Sequence, residues 1–224
     1  IRLLKDGTLD WTRGSRAVIP AKTVVLENVS IDGGQIEFID EQSGRNRTVT
    51  GLSADMSAKS LAGPWTAKGR AAVDGHAGSF SLSSGEPEAN AGRMGLRLRL
   101  MPDEHPVEID LDGAIAATEG RPVYSGSFAF NFRQDENQKK DASQSIFTAP
   151  RTKGSFELTN GRVRVPSYRM ELGGESNPYI VTGEATLDTG TAPEFLLTAD
   201  GQQIDFNRFA PAPVQTGKTS RVPT

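Results

Sequence analysis

Hydrophobic and polar residues alternate with a period of two from about Val24 to Asp205, interrupted by glycine turns and nowhere by a helical spacing. Successive side chains of a strand point to opposite faces, so this pattern specifies a long sheet with one apolar and one charged face. Between Thr48 and Lys59, Leu52, Ala54, Met56 and Ala58 alternate with Ser53, Asp55, Ser57 and Lys59, which excludes an amphipathic helix there.

Tight turns fix register, so the alternation can be tested pair by pair. A turn centred between Asp103 and Glu104 predicts Leu100 opposite Val107, Leu98 opposite Ile109 and Leu96 opposite Leu111, with Arg99–Glu108 and Arg97–Asp110 on the other face. The Asp74-Gly75 dipeptide predicts Val73 opposite His76, Ala71 opposite Gly78, Gly69 opposite Phe80 and Ala67 opposite Leu82, with Gly69 leaving room for the Phe80 ring. Asn160-Gly161 predicts Leu158 opposite Val163, Phe156 opposite Val165 and Glu157 opposite Arg164. These registers bring apolar residues together and, in two of the three hairpins, opposite charges as well; each such pair contributes roughly 0.2–1 kcal/mol.

The hydrophobic share of 36% is low for a sandwich that buries two inner faces and suits an extended or curled single sheet. A net charge of −3, with arginines interleaved among acids, provides no basic stripe for phosphates, so nucleic acid is not an expected partner. With no cysteine there is neither a disulfide framework nor a thiolate metal site. No apolar run approaches the roughly 20 residues that span a bilayer. The chain opens at Ile1 inside what reads as a strand and turn, IRLLKDGTLDW, and is expected to be an excised segment.

The expected organisation is a partial strand pair and connection over 1–22, a first β block over 23–133, a polar loop over 134–153, a second β block over 154–209 and a linker or disordered tail over 210–224. In the first block Thr23–Ile31 and Gln35–Asp40 read as separate strands. The runs WTAKGRAAVDGHAGSFSLSSG and YIVTGEATLDTGTAPEFLLTADG share an aromatic start, a central glycine (Gly69, Gly183), an aspartate at the turn (Asp74, Asp188) and a Phe-x-Leu return strand, as degenerate repeats would. The fold expected is all-β: an elongated, curled, mainly antiparallel sheet with a hydrophobic inner face.

No sequence pattern for catalysis stands out. Glu108–Glu119 nearly spells an EF-hand loop, but its first position carries the wrong acid and Pro106 and Pro122 forbid flanking helices, so a strand is the expected structure. His76 and His105 read as turn residues. The nucleophile-elbow and phosphate-loop signatures are absent, and no catalytic group, metal or cofactor is expected. Phe128, Phe130 and Phe132 line one face of a strand, opposite Ser127, Ala129 and Asn131; this is either a core stripe or the wall of an open groove.

The segments DGTLDW, VVLENVSIDGGQIEFIDEQSG, TVTGLSADMSAKSLAGPWTAKGRAAVDG, PVEIDLDGAIA, RPVYSGSFAF and GQQIDFNRF together resemble the periplasmic region of the bacterial AsmA-like family, relatives of TamB, from Leu9 to Phe209. The resemblance implies a curled β-groove in the periplasm, anchored to the inner membrane through a segment outside this chain, that takes part in phospholipid movement to the outer membrane or in envelope assembly. The expected partner is a phospholipid or other acyl lipid, with envelope proteins as further partners. The groove residues expected are Leu96, Leu98, Leu100, Ile109, Leu111, Phe128, Phe130 and Phe132. The alternative is a closed structural or adhesive β module acting through protein–protein contacts, outer-membrane protein assembly included.

Overall fold

The computed structural model describes residues 2–3, 25–41, 44–60, 63–86, 92–118, 121–132, 150–159, 161–173, 177–188 and 192–201. The strands are β1 (Arg2–Leu3), β2 (Leu26–Asp40), β3 (Arg45–Ala58), β4 (Trp65–Val73), β5 (His76–Ser84), β6 (Arg93–Pro102), β7 (Val107–Thr118), β8 (Arg121–Phe132), β9 (Arg151–Leu158), β10 (Arg162–Leu172), β11 (Tyr179–Asp188) and β12 (Glu194–Gly201). They form a single sheet in chain order. β1 runs parallel to β2, and β2 to β12 form an antiparallel meander that does not close on itself. The strands therefore form one all-β layer whose two faces are set by parity alone.

The register shows how completely the period-two pattern is carried across the sheet. One row of directly paired residues runs Val29, Met56, Ala67, Leu82, Leu98, Leu111, Phe128, Gly154, Tyr168, Gly183, Ala199 from β2 to β12. The row one residue away runs Ser30, Asp55, Lys68, Ser81, Arg99, Asp110, Ala129, Lys153, Arg169, Thr182, Asp200. A slip of one residue would exchange the two rows in the slipped strand and, in most strands, place a polar or charged residue in the apolar row, which is why the register is so strongly specified.

One of the three hairpins follows expectation and two depart from it in instructive ways. The Asp74-Gly75 turn gives all four expected pairs, with Asp74 at φ 51° and Gly75 at φ 90°. In β6–β7 the faces are as expected but the partners shift by two: Leu100 meets Ile109, Leu98 meets Leu111, Arg99 meets Asp110 and Arg97 meets Asp112. Asp103–Pro106 form a longer loop than a two-residue turn, and a shift of two preserves the face. In β9–β10 the Leu158–Val163 and Glu157–Arg164 pairs form, but a bulge between Arg164 and Ser167 displaces Val165 from Phe156. Pro166 sits in that bulge, where its missing N–H costs no ladder bond.

Two further expectations are corrected. The Gln35–Asp40 segment is not a separate strand but the end of β2, because Gly33 at φ 64° and Gly34 absorb a register shift without turning the chain. Gly69 pairs with Phe80 as expected, and its lack of a side chain is also required by β3, where a Cβ would collide with the Ser53 carbonyl and Ala54. β9 starts at Arg151, inside the expected polar loop; residues 133–149, the expected 210–224 tail and nearly all of 1–22 lie outside the described residues.

Candidate functional site

The apolar face divides into two regions of different texture. Over β2–β6 its side chains are mainly aliphatic or small, and they line a cavity of about 640 Å³ open to solvent. Ile31 and Ile36 come from β2, Val49, Leu52 and Met56 from β3, Trp65 and Val73 from β4, Phe80 and Leu82 from β5, and Leu98 and Leu100 from β6. Ala54 and Ala67 are buried in its floor, where their lack of bulk leaves the space above them unfilled. Five strands at about 4.8 Å spacing make a floor about 19 Å across, the length of an extended palmitoyl-sized chain.

One rim of this cavity is bordered by two ion pairs and a histidine–carboxylate contact that join turn residues to neighbouring strands. Arg47 contacts Asp74 at 2.6 Å, His76 contacts Glu104 at 2.9 Å, and Arg70 reaches over β5 to Asp103. The Asp74 carboxylate also accepts the Thr48 N–H at 3.0 Å; that bond first, and the Arg47 guanidinium second, hold it below the usual carboxylate range. Exposed pairs of this kind each contribute little to stability. Their effect is to tie the β4–β5 turn to β3, and the β6–β7 turn to β4 and β5.

Over β7–β11 aromatic rings fill the same face. Phe128 and Phe156 are each 5% exposed; the Phe128 and Phe130 rings meet at 4.8 Å with their planes tilted by 39°, and Tyr124 meets the Phe156 ring edge-on at 4.8 Å. Glycines let the rings lie flat. A Cβ on Gly154 would come within 2.8 Å of the Phe128 ring, and one on Gly183 within 2.9 Å of Tyr168. Two tyrosines bridge over an intervening strand: Tyr124 Oη donates to the Leu96 carbonyl across β7 at 3.0 Å, and Tyr168 Oη donates to the Thr198 carbonyl across β11 at 2.9 Å. Burial first, and the charge of Asp112 second, push the Tyr124 hydroxyl upward in pKa.

Of the expected groove residues, Leu98 and Leu100 line the cavity. Leu96, Ile109, Leu111, Phe128, Phe130 and Phe132 share its face beyond the cavity wall, in the β6–β8 region. The remaining lining residues, from Ile31 to Leu82, were missed, although the Leu52–Ala58 alternation and the Ala67–Leu82 pairing already placed several of them on the apolar face. The calcium-like run from Glu108 to Thr118 lies in β7, with Asp110 on Arg99 at 2.6 Å and Asp112 on Arg97 at 3.0 Å, and Glu119 lies outside the described residues. Among the described residues no cluster of three acids or histidines converges as metal ligands would, and no helix is long and apolar enough to cross a membrane.

Comparison with protein-family models, with curated proteins and with solved structures returned no match for this chain.

Proposed function

We propose that this chain is a lipid-binding β-groove, the periplasmic segment of an inner-membrane-anchored, AsmA-like protein engaged in phospholipid movement to the outer membrane or in envelope assembly. The observation that carries the reading is the open cavity of about 640 Å³ on the β2–β6 face, walled almost wholly by hydrocarbon. An acyl chain placed there gains about 0.8 kcal/mol for each methylene removed from water. Binding of this kind asks for shape and continuity rather than for a particular polar group, which suits a site of rows instead of motifs.

The test is uptake of a fluorescent acyl lipid from phosphatidylethanolamine–phosphatidylglycerol vesicles by the purified chain. Uptake that falls on Leu82→Asp or Leu98→Asp, with far-ultraviolet circular dichroism unchanged, supports the groove; a folded parent chain that takes up no lipid removes it. A second reading, a β module acting through protein–protein contacts, is favoured by the exposed edge strand β12.

A further inference from the structure

The two edges of the sheet are built differently. The β2 edge is interrupted by three register irregularities and is partly covered by β1, both of which impede pairing with another chain. β12 pairs with β11 from Glu194 to Gly201 without a bulge. Its stretch Phe195–Ala199 carries no proline, lysine or other charge, so the residue types that commonly protect an edge strand are missing from its centre. Phe195, Leu196 and Leu197 are 67%, 65% and 52% exposed.

Leu196 is the informative residue. Its row on the polar face runs Ser125, Glu157, Arg164, Thr186 and then Leu196. Among the described residues β12 has no partner on its outer side, and there an apolar side chain ends a polar row, so that the centre of β12 offers Leu196 on the face it shares with Glu194, Thr198 and Asp200 as well as Phe195 and Leu197 on the other. A strand with that pattern matches a partner strand that also offers apolar residues on both faces.

We propose that β12 pairs antiparallel with β12 of a second copy of this chain, about a two-fold axis through Leu196. The register follows from charge and parity. Centred on Leu197, the pairing would oppose Glu194 to Asp200 twice; centred on Phe195, it would oppose Glu194 to Leu196. Centred on Leu196, it sets Leu196 against Leu196, Phe195 against Leu197 and Glu194 against Thr198, with no like charges opposed. The axis stands perpendicular to the sheet, so the apolar faces of both copies lie on the same side and join into one surface. This pairing is isologous and closes at two copies. It rests on the edge strand alone and stands or falls separately from the lipid reading.

The chain contains no cysteine, which makes single-cysteine cross-linking decisive. Directly opposed residues in an antiparallel pair bring their Cβ atoms to about 4.5–5.5 Å, close to disulfide range. Under mild oxidation the Leu196→Cys chain is expected to form disulfide dimers severalfold faster than Leu197→Cys, and a mixture of Phe195→Cys with Leu197→Cys is expected to cross-link faster than either alone. Light scattering of the unmodified chain at tens of micromolar should give a dimer mass, and Leu196→Lys should give a folded monomer. A monomeric parent chain would overturn the proposal, as would open-ended assemblies that grow with concentration, or a dimer in which Leu196→Cys cross-links no faster than Leu197→Cys.

Discussion

The β2–β6 and β7–β11 regions share one sheet, one pair of faces and the same rows, yet on the apolar face one carries a cavity and the other is covered by rings. The difference lies in side-chain reach. Across β2–β6 the apolar row presents Val29, Met56, Ala67, Leu82 and Leu98, with Ala54 and Ala67 buried in the floor. Across β7–β11 it presents Phe128 and Tyr168 beside Gly154 and Gly183, so that each ring covers its neighbour's backbone as well as its own. A single sheet can thus be self-covering where aromatics lie over glycines and open where alanines leave the floor bare. On the proposed reading, the ring-covered half stabilises the fold and the open half binds.

The largest expected effect tests that assignment. Phe128→Asp places an unpaired carboxylate in the packed half and is expected to cost several kcal/mol, read as a lowered urea midpoint. Phe128→Ala is expected to cost about 3–5 kcal/mol. Val73→Asp, on the open half, is expected to change stability by about 0.5 kcal/mol or less because Val73 is 46% exposed, while lowering acyl-lipid uptake. If the two aspartate variants destabilise equally, the division between the regions fails.

Much of this was legible in the sequence, and its limits are physical. In β6–β7 the face assignment survived the register error because a period of two is unchanged by a shift of two: Leu98 and Arg99 fall on opposite faces although their partners were misplaced. What local rules could not supply was loop length at Asp103–Pro106 and the bulge at Val165–Pro166, both set by how the strands meet rather than by a turn dipeptide. Most of the cavity lining beyond Leu98 and Leu100 went unnamed for a related reason. Phe128, Phe130 and Phe132 drew attention because they are large and aligned, and Phe128 lies over Gly154; the open floor is made by alanines, which carry little signal on their own.

Smaller changes sharpen the comparison. Gly183→Ala drives a methyl against the Thr198 carbonyl and the Tyr168 ring, and is expected to cost about 1–3 kcal/mol and to loosen β12, seen as faster hydrogen exchange in β11 and β12. Tyr124→Phe removes the bridge to the Leu96 carbonyl and is expected to cost about 1 kcal/mol in chemical denaturation, without affecting lipid uptake by the open half. The least effect is expected from Asp74→Asn. Because the folded state depresses the Asp74 pKa, the carboxylate's contribution is complete above its unfolded pKa and is lost as pH falls through the folded one. The parent should therefore lose slightly more stability than the variant on acidification below the ordinary carboxylate range, and a variant with the same acid transition as the parent would show that the rim pairs contribute nothing.

The most direct test of the central claim is capture of lipid at chosen positions in cells. A photoreactive phenylalanine analogue would replace Val73 on the open apolar face, Lys68 on the polar face of the same strand, or Phe132 on the apolar face of β8, and covalent adducts would be identified by mass spectrometry. The account predicts phospholipid adducts at position 73, fewer at 132 and none at 68. No lipid adduct at 73 from a folded chain, or equal capture at 73 and 68, would contradict it.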